Sequence, residues 1–448
     1  MKKATVVGAG LVGSLWTALL AKRGYRVDVY ERRTDSRKAG YAGGRSINLA
    51  LSNRGWKALE RAGLAEAIAR EAIPMSHRVM HAVDGSLVRQ PYGKDGQAIY
   101  SVSRGGLNEQ LMTLAEQSGN VHLHFDRKCV DVDLKTGAAA FESGDGSVEL
   151  VEPGLLFATD GAYSAIRSAM IKTDRYQYQQ QYIDHGYKEL HIPPGADGRH
   201  QLEREALHIW PRGQHMLIAL PNPDGSFTCT LFFPMEGAES FEALQTVEAA
   251  RAFFAAQFRD ALDLMPDFEA QWAANPVASL VIIRCSPWNV GGKTVLFGDA
   301  SHAIVPFYGQ GMNSGFEDCR VFDAVLEAHG DDFEHAFAEF AQKRKPDADA
   351  IAELAMRNFV EMRDLTAQPE FLLQKKIEAR FSALHPGQWM PLYSQVTFSH
   401  IPYAEALAAG KRQDALMAQI LARPNIAENW ESEEVMAEMR RLLEATRA

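Results

Sequence analysis

The feature that most constrains the fold stands at the amino end, where a short apolar strand runs into a glycine loop and then a helix. The strand Ala4–Val7 is followed at once by Gly8–Gly13, and Ser14–Arg23 has the composition of a helix. A second strand, Arg26–Tyr30, ends at Glu31, which stands 18 positions after the last glycine of the loop. This order predicts a βαβ unit with a GxGxxG loop between its first strand and its helix.

Each position of the loop has a physical role. Gly8 allows the tight turn, Gly10 lets a pyrophosphate approach the backbone, and Gly13 lets the helix pack closely on the strand. The carboxylate of Glu31 is placed to accept a hydrogen bond from a ribose hydroxyl. The stretch therefore predicts dinucleotide binding, but it does not distinguish FAD from NAD.

A second stretch with a similar design is Thr294–Asp318. A short apolar strand breaks at Gly298-Asp299, a Pro/Gly-rich loop runs over 306–311, and helical spacing begins near Met312-Asn313. The Asp can bond a hydroxyl, the glycines let backbone come close to a ligand, and the helix N-terminus offers N–H donors. This predicts a second cofactor contact, and the alternative is an ordinary strand-turn-helix corner. His302 is expected to be packed or hydrogen-bonded and not to act as an acid or base.

The rest of the sequence indicates the architecture. An apolar strand over 155–158 ends near Asp160-Gly161, and Ser164 and Arg167 lie on the following helical turn. Residues 121–151 alternate like a meander of four strands, and residues 182–235 alternate like an antiparallel sheet of about four strands. The predicted helices after residue 318 span 319–329, 332–364, 369–385 and 403–445. A chain of 448 residues has room for two or three domains.

Composition excludes several classes of protein. The net charge is −10 and there is no long Lys/Arg run, which argues against a nucleic-acid surface. The 4 cysteines are far apart without a CxxC pair, so a zinc cluster or disulfide framework is not expected. We expect a reducing, cytoplasmic setting. The amino end reads as a strand and not a signal peptide, and no apolar run approaches the length of a membrane span. We expect a soluble protein.

Taken in order, the three motifs resemble the single-component, class A flavin-dependent aromatic hydroxylases with the p-hydroxybenzoate hydroxylase fold. The matching positions are Asp160, Gly161, Ser164 and Arg167 for the middle motif and Gly298, Asp299 and Pro306 for the last. The resemblance implies an α/β fold with a discontinuous, Rossmann-like FAD-binding domain over 1–72, 98–172 and 285–345. An inserted substrate domain with an antiparallel sheet would cover 73–97 and 173–284. A C-terminal helical region over 346–448 would close the active site.

Within that family, segments spread over roughly the first 400 residues resemble the branch that hydroxylates L-kynurenine. These segments are Gly44–Ser52, Gln90–Gly93, His185–Leu190, His208–Pro211, Val305–Asn313, Asn358–Met362 and Tyr393–Phe398. Eukaryotic members carry a C-terminal membrane segment that this sequence lacks, so it is similar to the soluble bacterial form.

The resemblance implies a set of FAD contacts. They comprise Gly8, Gly10, Gly13, Glu31, Arg33, Ala50, Arg104, Cys129, Asp299, Gly311, Met312 and Asn313. Glu31 and Arg33 would hold the adenosine ribose end, Arg104 the phosphates or ribityl chain, and Asp299 the ribityl chain. The N–H groups of 311–313 would face the flavin O2/N1 edge, where reduction adds negative charge that a helix N-terminus stabilises. Cys129 would bring backbone near the adenine, and the alternative is a plain buried thiol.

The resemblance also implies the substrate contacts. Arg78 and Tyr92 match the pair that holds the substrate carboxylate, and an Arg gives such a group a bidentate contact. Asn358 and Tyr393 match residues that close the site. Without the resemblance, Arg78 reads as a surface or salt-bridged residue, Tyr92 as a turn aromatic, Asn358 as a solvent or capping residue, and Tyr393 as core.

The loop Pro306, Phe307, Tyr308 and Gln310 would face the aromatic ring and exclude water. Relatives carry Phe or His at Tyr308, so the role of its side chain is open. No residue is assigned as an acid or base, because the ring amine of the substrate already activates the ring.

The implied reaction consumes NADPH and O2 and uses tightly bound FAD. NADPH reduces FAD, oxygen adds to give a C4a-hydroperoxide, and the distal oxygen passes to the ring carbon beside the amine. No second GxGxxG is present, so NADPH is expected as a transient co-substrate. Two alternatives remain: a hydroxylase of another aromatic or quinone ring, and a non-catalytic FAD-binding or sensor protein. The chain is expected to be a monomer or homodimer with no membrane or nucleic-acid partner.

Overall fold

The computed structural model describes residues 2–39, 48–92, 96–152, 154–362 and 368–445. Its strands are β1 Lys3–Val7, β2 Arg26–Tyr30, β3 Asn48–Leu51, β4 Ile73–Met75, β5 His77–His81, β6 Leu87–Pro91, β7 Ile99–Ser103, β8 Val121–His124, β9 Arg127–Asp133, β10 Ala138–Ser143, β11 Val148–Val151, β12 Leu155–Ala158, β13 Gln177–Ile192, β14 Ala206–Arg212, β15 His215–Pro221, β16 Phe227–Pro234, β17 Val277–Ser286, β18 Asn289–Val290 and β19 Thr294–Leu296. Its helices are α1 Leu11–Lys22, α2 Ser36–Ala39, α3 Asn53–Ala62, α4 Ala65–Ala69, α5 Arg104–Glu116, α6 Ala165–Met170, α7 Val247–Gln257, α8 Arg259–Leu262, α9 Phe268–Ala274, α10 Asp299–His302, α11 Gly311–His329, α12 Phe333–Val360, α13 Pro369–Leu384, α14 Leu392–Thr397, α15 Tyr403–Leu421, α16 Ile426–Asn429 and α17 Glu433–Ala445. A 3-10 turn spans Pro306–Tyr308.

The main sheet has six strands in the order β18-β19-β12-β1-β2-β8. The pairs β1/β2, β1/β12, β12/β19 and β2/β8 are all parallel. Because parallel strands end at the same edge of a sheet, the three sequence motifs that follow β1, β12 and β19 meet at one edge. That edge carries the loops at Gly8, Asp160 and Gly298.

Aromatic packing fixes α1 against this sheet. The Trp16 side chain is fully buried, with ring centroids 5.3 Å from both Phe157 and Phe297 and 5.2 Å from Phe322. These three partners come from the ends of β12 and β19 and from α11. The Trp16 indole therefore holds the glycine loop, the Gly-Asp motif after β19 and helix α11 in one arrangement.

A second sheet has seven strands in the order β17-β13-β16-β15-β14-β5-β6. One face packs on α7, α8 and α9, with side chains such as Leu217, Leu231 and Phe254 in that core. Because successive side chains of a strand point to opposite faces, Met216 and Ile218 face the other way, toward a cavity. The prediction of an antiparallel sheet over 182–235 is borne out by β13–β16, and β5, β6 and β17 extend that sheet.

Several element predictions were wrong in detail. β8 was predicted as the first strand of a meander, but it pairs in parallel with β2, so the meander has three strands, β9-β10-β11. Helix α1 begins at Leu11, three residues before the predicted start, because Gly10 already serves as its N-cap. The helix predicted over 403–445 is split into α15, α16 and α17, where Pro424 follows α15 and Asn425 has φ +57°. The short helices α10 and α14 were not predicted.

The carboxyl-terminal helices cover the open side of the cavity. Side chains of α12 and α15, including Ile351, Phe359 and Tyr403, pack with Val305 and Phe307 of the loop before α11. A separate cluster formed by α13, α15 and α17 lies further out. Across the described part of the chain, every helix is too short or too polar to cross a lipid bilayer.

Candidate active site

A cavity of about 360 Å³ lies between the motif edge of the main sheet, the seven-stranded sheet and the C-terminal helices. Residues of the motif loops line one end, residues of the second sheet form a wall, and Tyr393 and Thr397 come from the C-terminal helices. The lining at the motif end includes Gly10, Leu11, Val12, Arg104, Gly161, Asp299, Gly311 and Met312. Predicted site residues from all three parts of the sequence therefore line one space. Others do not line it: Gly8, Gly13, Glu31, Arg33, Tyr92, Cys129, Asn313 and Asn358.

The glycine loop has the shape that a pyrophosphate needs. Gly8 has φ +98°, and a Cβ on it would lie 2.7 Å from the carbonyl oxygen of Thr159. A Cβ on Gly13 would lie 2.0 Å from the carbonyl oxygen of Gly8. No atom of the described residues lies within 4 Å of the corresponding position on Gly10, which faces the cavity. The loop is thus pressed onto β12 and open at Gly10, as a bound FAD pyrophosphate requires.

Glu31 is held at the end of β2 by two backbone N–H groups. Its Oε2 accepts from Ala9 N at 2.9 Å, and its Oε1 accepts from Arg33 N at 2.9 Å. Each carboxylate oxygen keeps acceptor capacity for a ribose hydroxyl. Arg33 has an exposed side chain beside it.

Cys129 lies on β9 and is buried, and its Sγ is 3.7 Å from the carbonyl oxygen of Asp131. Burial raises the pKa of its thiol to about 12, so the thiol stays protonated. It does not line the cavity. The role of its backbone near an adenine stays a prediction.

The Gly-Asp motif is fixed by buried charges. Gly298 N donates to Asp318 Oδ2 at 3.0 Å, and His302 Nε2 lies 2.5 Å from the same oxygen. This places His302 in a buried pair, which agrees with the expectation that it is hydrogen-bonded. Asp299 opens α10 with its side chain exposed into the cavity, and the protein packed around it raises the pKa of its carboxyl.

The Asp-Gly motif joins the two other loops. Asp160 Oδ2 accepts from Ala165 N at 2.7 Å and caps α6, while its Oδ1 is buried without a partner among the described residues. Arg167 Nη1 donates to the carbonyl oxygen of Ala300 at 2.7 Å. Its guanidinium also bonds the carbonyl of Ala162, so Arg167 ties this motif to α10.

Asn313 does more than the sequence indicated. Its Nδ2 donates to the carbonyl oxygens of Ala50 and Gly309, both at 2.8 Å, and its Oδ1 accepts from Ser52 N at 2.9 Å. The side chain therefore fastens β3 to the loop before α11. The first N–H groups of α11, at Gly311 to Asn313, have no acceptor within the helix and can donate to a ligand. Ala50, Gly311 and Met312 all line the cavity.

At the other end of the cavity lies the half-buried side chain of Arg78. The Cζ atom of Arg78 is 4.9 Å from the ring centroid of Tyr92 and 4.6 Å from that of Tyr393. Arg78 Nε and Tyr92 Oη are both buried and have no hydrogen-bond partner among the described residues. Burial raises the pKa of the Tyr92 phenol, so it remains a neutral donor. A half-buried cation with a buried, unmet donor calls for an anion.

The loop before α11 forms the lid of the cavity. The Tyr308 ring stacks on Tyr393 with centroids 5.6 Å apart, and Phe307 stacks on Phe359 at 4.2 Å. Asn358 Nδ2 donates to the carbonyl oxygen of Phe307 at 2.7 Å. Asn358 is therefore buried and holds the loop, in contrast to the solvent or capping role that its helix alone would predict. Pro306 and Gln310 also line the cavity.

Two groups of residues were missed by the sequence analysis. One is the wall of the second sheet, formed by Tyr187, Leu207, Ile209, Met216, Ile218, Leu220, Thr230, Phe232 and Leu280. Strand alternation identified these strands but gave no sign of which face meets the cavity. The other group is a buried ion network around Arg54, Glu317 and Arg344, which carries no local motif.

In that network, Arg54 Nη1 lies 2.9 Å from Glu317 Oε1, and Arg344 Nη1 lies 3.0 Å from Glu317 Oε2. Arg344 Nε is 2.7 Å from Asp318 Oδ1. Arg54 Nε donates to the carbonyl oxygen of Val396 at 3.0 Å. The network thus joins α3 and α11 to the C-terminal helices α12 and α14.

Known proteins resemble this chain over nearly its whole length. Residues 1–353 match the family described as "FAD binding domain". The chain is 49% identical over 443 residues to the kynurenine 3-monooxygenase of Flavobacterium johnsoniae, covering 99% of both chains. It is 49% identical to that of Myxococcus xanthus, covering 93% of this chain and 90% of the other. Identity to that of Anopheles gambiae is 43%, covering 94% and 87%.

Solved structures of the same fold are more distant in sequence. The tetrameric form of 2-methyl-3-hydroxypyridine-5-carboxylic acid oxygenase superposes with a TM-score of 0.68 at 18% identity, covering 82% of this chain and 94% of that one. PqsL of P. aeruginosa, in complex with 2-aminobenzoylacetate, gives a TM-score of 0.65 at 18% identity, covering 81% and 97%. These likenesses show the fold.

Proposed function

The chain belongs to the kynurenine 3-monooxygenase family, and from that premise we propose that it hydroxylates L-kynurenine to 3-hydroxykynurenine with FAD, NADPH and O2. FAD is the tightly bound cofactor, and NADPH is a co-substrate that binds transiently. The ring carbon beside the amine receives one oxygen atom, and the other leaves as water.

The observation that carries this proposal is the unmet Nε donor of the Arg78 guanidinium. The guanidinium lies at one end of an apolar cavity, between the rings of Tyr92 and Tyr393, and its Nε has no partner among the described residues. A carboxylate supplies the two acceptors that a guanidinium binds best. L-Kynurenine carries such a carboxylate at one end and an aminobenzoyl ring at the other, which suits a polar end and an apolar wall.

The residues at the opposite end fit FAD. We assign the pyrophosphate to Gly8, Gly10 and Gly13, and the adenosine ribose to Glu31 with Arg33. Ala50, Arg104, Cys129 and Asp299 complete the contacts, and the N–H groups of Gly311, Met312 and Asn313 are assigned to the flavin ring. Bound FAD supplies the reduction by NADPH and the activation of oxygen. The buried Asp160 Oδ1, which lacks a partner among the described residues, supports a ligand with hydroxyl groups beside it.

The chain's own contribution is position and dryness. The amine of the substrate activates its ring, so no protein acid or base is assigned. Pro306, Phe307, Tyr308 and Gln310 cover the ring and exclude water, Asn358 holds that loop through the carbonyl of Phe307, and Tyr393 closes the carboxylate end. The N-terminus of α11 offers N–H groups where negative charge develops.

We extend the proposal to the organisation of the chain. FAD binding is assigned to 1–72, 98–172 and 285–345, the substrate sheet to 73–97 and 173–284, and closure of the site to 346–448. The setting proposed is the cytoplasm, with no nucleic-acid partner and a monomer or homodimer as the working unit. Four buried free cysteines and a net charge of −10 support that setting.

The test follows NADPH oxidation by the purified yellow protein in air, with and without L-kynurenine, and identifies the product by mass. A kynurenine-dependent rate with a product heavier by one oxygen is expected. A faster rate without oxygenated product would make kynurenine an effector only and favour a hydroxylase of another ring. A yellow protein that neither consumes NADPH nor forms product would favour the non-catalytic flavoprotein.

A further inference from the structure

The wall of the cavity formed by the second sheet is apolar except at a few positions. Its uncharged polar side chains, among the described residues, are Tyr187 and Thr230. Tyr187 has an interaction within the protein. The Thr230 hydroxyl makes no hydrogen bond to another described residue, although the residue is only 7% exposed. Among the described residues of this wall, one hydroxyl without a hydrogen-bond partner therefore faces the cavity, and the wall around it is mostly apolar.

Pairing across the sheet places this hydroxyl away from the guanidinium that binds the carboxylate. Arg78 on β5 pairs with Leu207 on β14, whereas Thr230 on β16 pairs with Ile218, which pairs with Ile209 on β14. Three strand spacings separate β5 from β16, which is about 14 Å. A molecule held by its carboxylate at Arg78 can therefore extend its ring along the wall toward Thr230.

Two other acceptors that line the cavity already have a partner, whereas Thr397 Oγ1, on α14, has none among the described residues. On the lid side, Gln310 Oε1 accepts from Tyr403 Oη at 2.8 Å, and the carbonyl of Phe307 accepts from Asn358. Tyr308 stacks on Tyr393 at the Arg78 end. Glu189 is the strand neighbour of Thr230 on β13, but it does not line the cavity.

The proposed reaction poses a problem of selection that the apolar wall alone does not solve. The amine of kynurenine activates the ring carbons ortho and para to it, which are C3 and C5. A half-turn of the ring about the bond to its side chain exchanges these two carbons. An apolar wall and a carboxylate clamp both accept either orientation, so selection depends on directional contacts to the amine, one from the substrate's own ketone and one from the protein.

We propose that the hydroxyl of Thr230 accepts a hydrogen bond from the ring amine of the substrate and thereby selects C3 over C5. This inference rests on the proposed function and assigns it a residue that determines regiospecificity. One hydrogen of the amine forms a hydrogen bond to the neighbouring ketone of the substrate. The other hydrogen of the amine can point at Thr230 Oγ1. The overall balance is unchanged: NADPH, a proton, O2 and kynurenine give NADP⁺, water and one hydroxykynurenine.

The test compares Thr230→Val, which keeps the shape and removes the hydroxyl, with Thr230→Ser, which keeps the hydroxyl. Products are separated and the ratio of 3- to 5-hydroxykynurenine is measured, together with NADPH consumed per product. The Val variant is expected to lower the ratio about tenfold, the scale of one neutral hydrogen bond, with a KM for kynurenine within about threefold of wild type. The Ser variant is expected to retain the wild-type ratio. Ile218→Val is the matched control, because it alters the adjacent wall without changing polarity.

A second measurement uses binding alone. Kynurenine and its analogue without the ring amine are titrated into each protein, and their affinities are compared. Wild type is expected to prefer the amine about tenfold, and the Val variant to show little preference.

A Val variant with the wild-type product ratio and the wild-type preference for the amine would overturn the assignment of Thr230 and leave the proposed function intact. A wild-type protein that hydroxylates no kynurenine would overturn both.

Discussion

At the scale of single residues, Arg78 shows how an unmet donor points to a ligand. We expect Arg78→Ala to raise the Kd for kynurenine about a hundredfold, since a charge-assisted bidentate contact of ~2–3 kcal/mol is lost. Titration followed by the flavin absorbance measures the Kd. Arg89→Ala is the matched control, because Arg89 lies on the neighbouring strand and is 60% exposed. Equal Kd values for the two variants would exclude Arg78 from the carboxylate site.

His215 offers a second test at this scale, in stability. Both of its ring nitrogens are buried without a hydrogen-bond partner in the described chain, and the rings of Phe233 and Phe253 lie 5.0 and 5.2 Å away. Burial lowers the pKa of His215 to about 4. The unfolded chain takes up this proton near pH 6.5 and the folded one near pH 4, so stability is lost as the pH falls through that window.

We therefore expect His215→Phe to stabilise the protein at pH 5 by about 2 kcal/mol relative to wild type, with a smaller gain at pH 8. Thermal midpoints of the two proteins at both pH values measure the difference. The exposed His335 provides the control substitution. A gain that is the same at both pH values would contradict the burial of a neutral imidazole.

The sequence could indicate these residues only in part. Arg78 and Tyr92 follow from a resemblance of short segments, and the contact of the Arg78 guanidinium with the Tyr92 ring is compatible with it. The side-chain bonds of Asn313 could not be read from the sequence, because their acceptors on β3 and in the loop are brought together only by folding. The buried face of Thr230 was likewise hidden, since alternation gives two faces without saying which one meets the cavity.

At the scale of elements, the glycine loop between β1 and α1 is the most constrained connection. We expect Gly13→Ala to abolish FAD binding, because the added Cβ would lie 2.0 Å from the carbonyl oxygen of Gly8 and backbone cannot move aside cheaply. The flavin content per protein, measured by absorbance, checks this. Gly106→Ala in α5 is the control, since its Cβ would meet only Ser103 side-chain atoms, at 3.6 Å. A Gly13→Ala protein that stays fully yellow would contradict the tight contact.

The elements themselves were largely predictable where the pattern is local. The βαβ opening, the second motif and most helices follow from apolar spacing and glycine positions. β8 was assigned to the wrong sheet because its parallel partner, β2, is nearly 100 residues away in the chain. The sequence of β8 itself is compatible with either sheet. Helix α14 was missed because it is a short turn stabilised by the helices packed around it.

At the scale of the whole molecule, the ion network around Arg54 couples the cofactor loops to the C-terminal helices. Arg54 bonds Glu317 and the carbonyls of Val396 and Ile401, and its Cζ lies 3.9 Å from the Tyr403 ring centroid. We expect Arg54→Met to destabilise the protein by about 3 kcal/mol, because it removes the charge from a fully buried pair.

Limited proteolysis between residues 385 and 405, together with the thermal midpoint, measures this effect. Faster cleavage is expected there, since two carbonyls lose their donor. Arg61→Met is the matched control, because the Arg61 side chain is 35% exposed and its partner Asp323 keeps a second cation, Arg23. Equal behaviour of the two variants would mean that the C-terminal helices are held by packing alone.

The two faces of the second sheet have a consequence for how such a protein can diverge. Along β14, β15 and β16, alternate residues belong to the core with α7–α9 and to the cavity wall. Selection can therefore replace wall residues one at a time and change the ring that is accepted while the folding core is inherited unaltered. A lineage built on this sheet is free to acquire new aromatic substrates through a handful of substitutions, none of which needs to pass through an unstable ancestor.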